Sequence, residues 1–344
     1  MKVQHARTNA SEWVYTHARH VQGYSGAYFS GSIIGLSEQD DLAPSSDVDI
    51  VVITEDEPPF KLGKFIYKGT LLEVTYLTWK PLSTVEKVLS SYHLAGSFRV
   101  DTIIDDPTGR LRSLQKAVSQ HFYQLEWVRR RCLNAREKVK NGLRSINRNA
   151  AFHEQVTSWL FPTGVITHII LVAALENPTV RKRYLKTKEV LINYGYETLY
   201  EDLLDLVGCA HWHPQQVQQH LEALRQTFDK TVEVAKTPFF FSSDITEESR
   251  PIAISGSQSL IDSGHQREAV FWIIATFARC HTILAVDAPS LHHEYFPFFQ
   301  AAVGDLGVFS TDDLLERAER ARQFLPPVWT ATEDILDKNP LIQR

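Results

Sequence analysis

The chain has 344 residues, of which 43% are hydrophobic and 22% charged, and its formal net charge is −5. These proportions are typical of a soluble globular protein of about two domains, and the acidic balance argues against a chain built around nucleic-acid binding. The first residues hold no apolar signal core, no uninterrupted apolar run could span a membrane, and the three cysteines lie far apart, so we expect a cytoplasmic protein with reduced thiols and no membrane contact.

The N-terminal part of the chain is predicted to form a mixed sheet with helices that extends to about residue 118. A helix over residues 10–22, with Ser11 as its N-cap, comes first, and a short helix opens at Ser32. Apolar runs bounded by turn-forming residues predict five strands, and the third and fourth are expected to form a hairpin. The predicted strands cover residues 26–30, 48–53, 64–68, 71–78 and 99–105.

The rest of the chain is predicted to be helical, because apolar residues recur there at three- and four-residue spacing. The predicted helices cover residues 121–147, 164–175, 180–194, 198–207, 214–235, 266–286 and 312–325. Residues 237–265 are rich in turn formers and are expected to be a long connection. The predicted fold class is therefore α+β, with a mixed-sheet domain over residues 1–118 and an all-α helical bundle domain over residues 119–344.

The segment 26–50 contains the most informative pattern in the sequence. Gly31 and Ser32 follow a short apolar run, and Asp47 and Asp49 open a later strand-like run. Alternate residues of a strand point to the same face, so the two carboxylates are expected to project together. Adjacent carboxylates repel unless a cation neutralises them, and Mg²⁺ binds proteins through one or two carboxylates plus substrate phosphates. The pattern indicates a metal–nucleotide site.

A third carboxylate, Glu73, lies in the strand-like run Thr-Leu-Leu-Glu-Val-Thr-Tyr-Leu. Glu73 and Thr75 would form a polar face opposite Leu72, Val74 and Tyr76, since side chains alternate along a strand. A polar face on an otherwise apolar strand suggests that Glu73 points into a site and not into a core.

Together these motifs resemble the nucleotidyltransferase superfamily of DNA polymerase β, in particular its two-domain antibiotic (aminoglycoside) nucleotidyltransferases. The similarity lies in the order of a strand, the Gly-Ser pair, a Ser-Asp-x-Asp strand and a Leu-Glu-Val-Thr strand. It covers about residues 20–115, and the remainder matches only loosely, as a helical second domain. The interval between Gly-Ser and Asp-x-Asp is longer than usual, and residues 38–41 within it are interpreted as a surface insertion.

The resemblance implies a catalytic metal centre. Asp47, Asp49 and Glu73 would be both catalytic residues and metal ligands, holding two Mg²⁺ ions. Glu73 would bind the second ion, deprotonate the acceptor hydroxyl, or do both, and the sequence does not separate these roles.

The resemblance also implies a nucleotide-binding set. Backbone N–H groups around Gly31 and Ser32 would bind the phosphates of ATP or another nucleoside triphosphate, and Ser46 is a further candidate. In similar enzymes a lysine of the second domain reaches these phosphates. Lys188, in the basic run over residues 178–191, is the best match, with a solvated helix face as the other interpretation.

The implied reaction is transfer of a nucleoside monophosphate, AMP from ATP, onto a hydroxyl of a small acceptor such as an aminoglycoside, with release of pyrophosphate. Two alternatives stay open: a protein or RNA acceptor, and a nucleotide-binding or partner-binding protein that has lost catalysis. The basic run over residues 129–148 and Glu268, a second candidate base, are each open to a surface or a site interpretation. The sequence indicates neither the acceptor nor the oligomeric state.

Overall fold

A five-stranded sheet followed by a helical region makes up the computed structural model, which describes residues 1–56, 62–178 and 181–344. The α+β class predicted from the sequence is confirmed. The strands are β1 (Tyr24–Ser30), β2 (Val48–Thr54), β3 (Gly63–Tyr67), β4 (Thr70–Thr78) and β5 (Ile103–Asp105). The α-helices are α1 (Val3–Thr16), α2 (Val85–Ser90), α3 (Arg110–His121), α4 (Leu125–Arg144), α5 (Phe152–Ala173), α6 (Arg183–Asn193), α7 (Glu197–Val207), α8 (Pro214–Val234), α9 (Gly256–Asp262), α10 (Gln266–Asp287), α11 (Pro289–Asp305), α12 (Thr311–Gln323) and α13 (Leu325–Lys338).

The strand order in the sheet is β3-β4-β2-β1-β5. Strands β2 and β4 pair in parallel, whereas β3–β4, β1–β2 and β1–β5 are antiparallel, so the sheet is mixed as predicted. The predicted hairpin is present as β3 and β4, joined through Lys68 and Gly69, both of which have positive φ.

Apolar alternation along the strands places a hydrophobic core on each face of the sheet. Val48 and Ile50 of β2 and Val74 of β4 pack on one face with α1. Tyr28 and Ile53 belong to a second core with residues of α2 and α3. A third and larger core lies among the helices α4 to α13. Polar residues at alternate positions of β2 and β4 therefore lie on the face away from α1.

Helix α1 corrects the predicted N-terminal helix over residues 10–22. It spans Val3–Thr16, so Ser11 lies inside the helix and is not its N-cap. The reason is burial, because Val3, Ala6 and Ala10 are fully buried and continue the apolar face that begins at Trp13. Alanine gives a weak apolar signal in a sequence, although it has the highest helix propensity.

The predicted connection over residues 237–265 contains local structure and returns to the sheet. Residues Ser242–Asp244 form a 3₁₀ turn that packs against β3, and α9 follows. Gly63 of β3 has φ +70°, and a Cβ atom there would come within 2.3 Å of Ser243 Cβ. A glycine at this position therefore permits the close approach of the connection to the sheet.

Helices α5 and α10 are long and apolar enough to cross a membrane by length and composition, although neither is an uninterrupted apolar run. In each, 78% of the most apolar window is buried inside the protein. Burial of this extent is what a core helix of a globular protein also shows, so the two helices are weak grounds for membrane insertion.

Candidate metal centre

Three carboxylates converge where β2 and β4 begin. Asp49 on β2 is the direct parallel partner of Glu73 on β4, and Asp47 precedes β2 on the same face as Asp49. One ligand oxygen from each side chain lies within 4.8 Å of the other two, and all three residues are half-buried. We call Asp47, Asp49 and Glu73 the carboxylate triad; the sequence predicted their proximity, and their binding of metal stays a prediction.

The donor chemistry of the carboxylate triad suits a hard divalent cation. Carboxylate oxygens are the ligands that Mg²⁺ and Mn²⁺ prefer, whereas Zn²⁺ and Cu²⁺ favour sulfur and imidazole. A three-carboxylate set also carries enough negative charge to require a cation nearby. Among the described residues this is the one group of three or more metal-ligand side chains whose ligand atoms meet so closely.

Gly31 makes the approach of Asp49 possible. Ser30, the last residue of β1, pairs with Asp49, and the chain then turns at Gly31 with φ +65°. A Cβ atom on residue 31 would lie 1.8 Å from Asp49 Oδ2, which is an overlap no side chain tolerates. Gly31 O also accepts a hydrogen bond from Asn177 Nδ2 at 2.9 Å, so the turn is joined to the helical region. The glycine predicted for phosphate approach therefore has a demonstrable role in seating a carboxylate.

We expect Gly31→Ala to lower both stability and metal affinity. The left-handed backbone alone costs a non-glycine residue about 1–2 kcal/mol, and displacement of Asp49 should weaken Mn²⁺ binding about 10- to 100-fold, as loss of a supporting contact does at metal sites. Thermal unfolding and Mn²⁺ titration measure the two effects. The control is Gly96→Ala, where a Cβ atom meets nothing within 4 Å. Wild-type Mn²⁺ affinity in Gly31→Ala would show that Asp49 is not a ligand.

The other sequence-predicted nucleotide residues near this turn have less defined surroundings. Ser32 is exposed within the 3₁₀ turn Gly31–Gly35, and half-buried Ser46 lies in the loop that leads into Asp47. The backbone N–H of Ser46 donates to Ala43 O at 2.9 Å, which fixes that loop. Ser46 directly precedes Asp47 in the sequence and Ser32 directly follows Gly31. The contact of either serine with a nucleotide stays a prediction.

Lys64 is a site residue that the sequence reasoning missed. Its ammonium donates to Glu73 Oε2 at 2.6 Å and to Asp244 Oδ1 at 2.7 Å, and it lies 3.5 Å from Asp47 Oδ2. The side chain is only 5% exposed. Burial lowers the pKa of Lys64, but the negative charges of Asp244, Glu73 and Asp47 together raise it by more. The pKa of Lys64 therefore lies above its usual value, and the lysine stays charged. The pairing of Lys64 with Glu73 across the hairpin is the sequence signal that could have identified Lys64 as a site residue.

Asp244 and Arg279 connect the helical region to this centre. Arg279 on α10 donates to Asp244 Oδ2 at 2.7 Å, while the other Asp244 oxygen accepts from Lys64. The Arg279 guanidinium lies 5.2 Å from the centre of the Phe161 ring and 5.5 Å from that of Phe241. Burial lowers the pKa of Arg279, opposed by the charges of Asp244 and Glu73. No local pattern in the sequence joins these residues to the carboxylate triad.

Arg181 also lies within electrostatic range of the carboxylates. It donates to Ile252 O at 2.9 Å, and its guanidinium lies 5.0 Å from the centre of the Trp272 ring. Burial lowers the pKa of Arg181 to about 10, and the charges of Asp47, Asp244 and Glu73 act against that shift. Arg181 is thus the member of the basic run over residues 178–191 that approaches the triad; residues 179 and 180 lie outside the described part of the chain.

Lys188 occupies a different place. Its ammonium lies 3.7 Å from Glu268 Oε1 and over the Tyr200 ring, and Tyr200 donates a hydrogen bond to the same Glu268 oxygen. Glu268 is 3% exposed. It lies eleven residues before Arg279 on α10, which is about 16 Å along a helix. The structure therefore pairs Lys188 and Glu268 with each other, some distance from the residues that contact Asp244. The site roles of Lys188 and Glu268 stay predictions.

The basic run over residues 129–148 is partly neutralised within the protein. Arg129 forms a 2.7 Å ion pair with Glu333, and Arg148 lies 3.4 Å from Asp312. These contacts favour the interpretation of α4 as a solvated, internally paired helix over that of a nucleic-acid surface.

Comparison of the sequence with protein families and with curated proteins gives no match. The chemistry of the carboxylate triad and of the cations around it is therefore the guide to function.

Proposed function

We propose that the protein is a Mg²⁺-dependent nucleotidyltransferase that moves a nucleoside monophosphate, AMP from ATP, onto an acceptor hydroxyl and releases pyrophosphate. The observation that carries the proposal is the convergence of Asp47, Asp49 and Glu73, with ligand oxygens within 4.8 Å of one another. The resemblance of residues 20–115 to nucleotidyltransferases supports the same reaction. In this proposal residues 1–118 form the nucleotidyltransferase domain, and residues 119–344 bind the acceptor and close the cleft.

The carboxylate triad has two tasks in this reaction. Asp47 and Asp49 would hold Mg²⁺, with Glu73 as a further ligand. Bound Mg²⁺ would neutralise the triphosphate and stabilise the charge on the attacking and leaving oxygens. Glu73 would also accept the proton of the acceptor hydroxyl while the hydroxyl oxygen attacks the α-phosphorus. The pyrophosphate would leave on the side opposite to the attack.

Cationic side chains around the triad suit the polyphosphate. A guanidinium presents several N–H donors in a planar fork that matches phosphate oxygens. Arg181 uses one of these donors on Ile252 O and stacks on Trp272, which would keep the remaining donors oriented. We therefore propose Arg181 as a phosphate-binding residue alongside the sequence candidates Gly31, Ser32, Ser46 and Lys188.

Arg181→Gln is expected to weaken ATP binding about 10- to 150-fold, which corresponds to a charge-assisted hydrogen bond of roughly 1.5–3 kcal/mol. AMP binding should change much less, because AMP lacks the β- and γ-phosphates. Isothermal titration with Mg²⁺ and without acceptor measures both affinities. Lys188→Gln, from the same basic run, is the matched comparison. A larger loss of ATP affinity in Lys188→Gln than in Arg181→Gln would make Lys188 the main phosphate-binding residue of this run and would count against Arg181.

The proposed function is tested by incubating the protein with Mg²⁺, ATP labelled at the α-phosphate and a panel of hydroxylated acceptors that includes aminoglycosides. Label in an acceptor together with metal-dependent pyrophosphate release is the expected result, and Asp49→Asn serves as the inactive control. Label in a protein or RNA would support the alternative acceptor class. Nucleotide binding without pyrophosphate release for any acceptor would favour a binding protein that has lost catalysis.

A further inference from the structure

A buried ammonium lies among the carboxylates that would hold metal. Lys64 is 2.6 Å from Glu73 and 3.5 Å from Asp47, so it contacts two of the three members of the triad. Asp244 is a fourth carboxylate, 2.7 Å from the same ammonium. Partial burial of these four carboxylates would be costly without compensating positive charge. Lys64 provides such charge from within the chain.

A divalent cation and this ammonium would compete for the same oxygens. Mg²⁺ binds its oxygen ligands at 2.0–2.1 Å. A Mg²⁺ ion and the Lys64 ammonium bound to the same oxygens would therefore lie close together, and two like charges repel strongly in a partly buried site. We propose that Lys64 is an internal counter-ion that neutralises the carboxylate triad until a divalent cation replaces it, and that Asp244 retains the lysine after the exchange. This inference rests on the proposed metal site and adds a residue that controls its affinity.

The position of Asp244 explains how Lys64 can leave the triad without losing its charge partner. One Asp244 oxygen accepts from Lys64 and the other accepts from Arg279. Asp244 is therefore oriented by α10, independently of the triad. Exchange requires Lys64 to give up Glu73 and Asp47 but not Asp244, so the contact between β3 and the 3₁₀ turn Ser242–Asp244 survives metal loading.

Lys64 could also have the opposite role and support metal binding, and the two roles predict opposite changes in metal affinity when the lysine is removed. If the lysine instead orients Glu73 for metal binding, as supporting residues do at many metal sites, its removal lowers the metal affinity. If it competes with the metal, its removal strengthens binding. Metal affinity measured without nucleotide separates the two roles.

The test is Mn²⁺ binding to the full-length protein, measured by isothermal titration and by the electron paramagnetic resonance signal of free Mn²⁺. Lys64→Met keeps an unbranched side chain and removes the charge. We expect this variant to bind Mn²⁺ about 10- to 150-fold more tightly, which corresponds to the free energy of a buried charge-assisted contact. Lys116→Met removes an exposed lysine of α3 and should leave the affinity unchanged. Lys64→Arg keeps the charge and pairs well with carboxylates, so it should bind Mn²⁺ no more tightly than wild type.

Thermal unfolding provides a second measurement. Lys64→Met should unfold at a lower temperature than wild type in metal-free buffer. Added Mn²⁺ should raise the unfolding temperature of Lys64→Met more than that of wild type. If Lys64→Met folds only when Mn²⁺ is present, that dependence supports the exchange. Equal or weaker Mn²⁺ affinity in Lys64→Met, or tighter affinity in Lys64→Arg, overturns it. Failure of wild type itself to bind Mn²⁺ would instead overturn the metal site on which the proposed function depends.

Discussion

Glu73→Gln is expected to lower the turnover number for nucleotidyl transfer about 100- to 10,000-fold, the usual contribution of a general base. The amide keeps the shape of the side chain and can still accept from Lys64, but it cannot take the proton of the acceptor hydroxyl. Nucleotide affinity should fall much less than turnover, because the proton is transferred only in the transition state. Steady-state kinetics with saturating acceptor, together with titration of ATP, measure the two quantities.

The control for this variant is Glu86→Gln, which changes an exposed glutamate of α2. Turnover at the wild-type level in Glu73→Gln would place the base elsewhere. Glu268 is the other candidate from the sequence, but its carboxylate is buried against Tyr200 and Lys188. Reassignment to Glu268 would therefore require movement of the helical region.

Asp49→Asn is expected to remove Mn²⁺ binding and to lower Mg²⁺-dependent turnover at least about 100-fold, because a metal ion contributes several kcal/mol of transition-state stabilisation. The fold should be retained, and relief of carboxylate repulsion should maintain or raise stability in metal-free buffer. Activity across a Mg²⁺ titration and thermal unfolding without metal test these statements.

Asp56→Asn, at an exposed position soon after β2, is the matched control for the loss of one negative charge. Asp47→Asn should behave like Asp49→Asn, since both side chains belong to the same metal centre. Full activity in Asp49→Asn at ordinary Mg²⁺ concentration would reject the two-metal interpretation of the carboxylate triad.

The carboxylate triad could be predicted because its geometry follows from local rules. Asp47 and Asp49 share a face by the alternation of a strand, and Glu73 lies at a polar position of another strand. That β2 and β4 are neighbours, with Asp49 beside Glu73, depends on the strand order of the sheet and came only from the resemblance. Lys64 could also have been predicted, because hairpin pairing around Lys68 and Gly69 places it opposite Glu73.

Other parts of the structure depend on contacts distant in sequence. Asp244 meets Lys64 across 180 residues, and no local pattern marks a polar turn as part of a site. Among the helices that were not predicted, α11 and α13 were missed for a simpler reason, because α11 contains Pro297 and α13 begins with prolines in its first turn. Proline is well tolerated in the first turn of a helix. Inside α11, packing in the helical core outweighs the local cost of Pro297.

The contact between Ser243 and Gly63 also has a consequence for biosynthesis. Strand β3 is at the edge of the sheet, and edge strands can pair with other chains when left uncovered. The segment that packs on β3 leaves the ribosome about 180 residues later, which at 5–20 residues per second is a delay of roughly 10–40 s. During that interval the nascent sheet carries an uncovered edge, so the protein should depend more on chaperones while it is being made than after release.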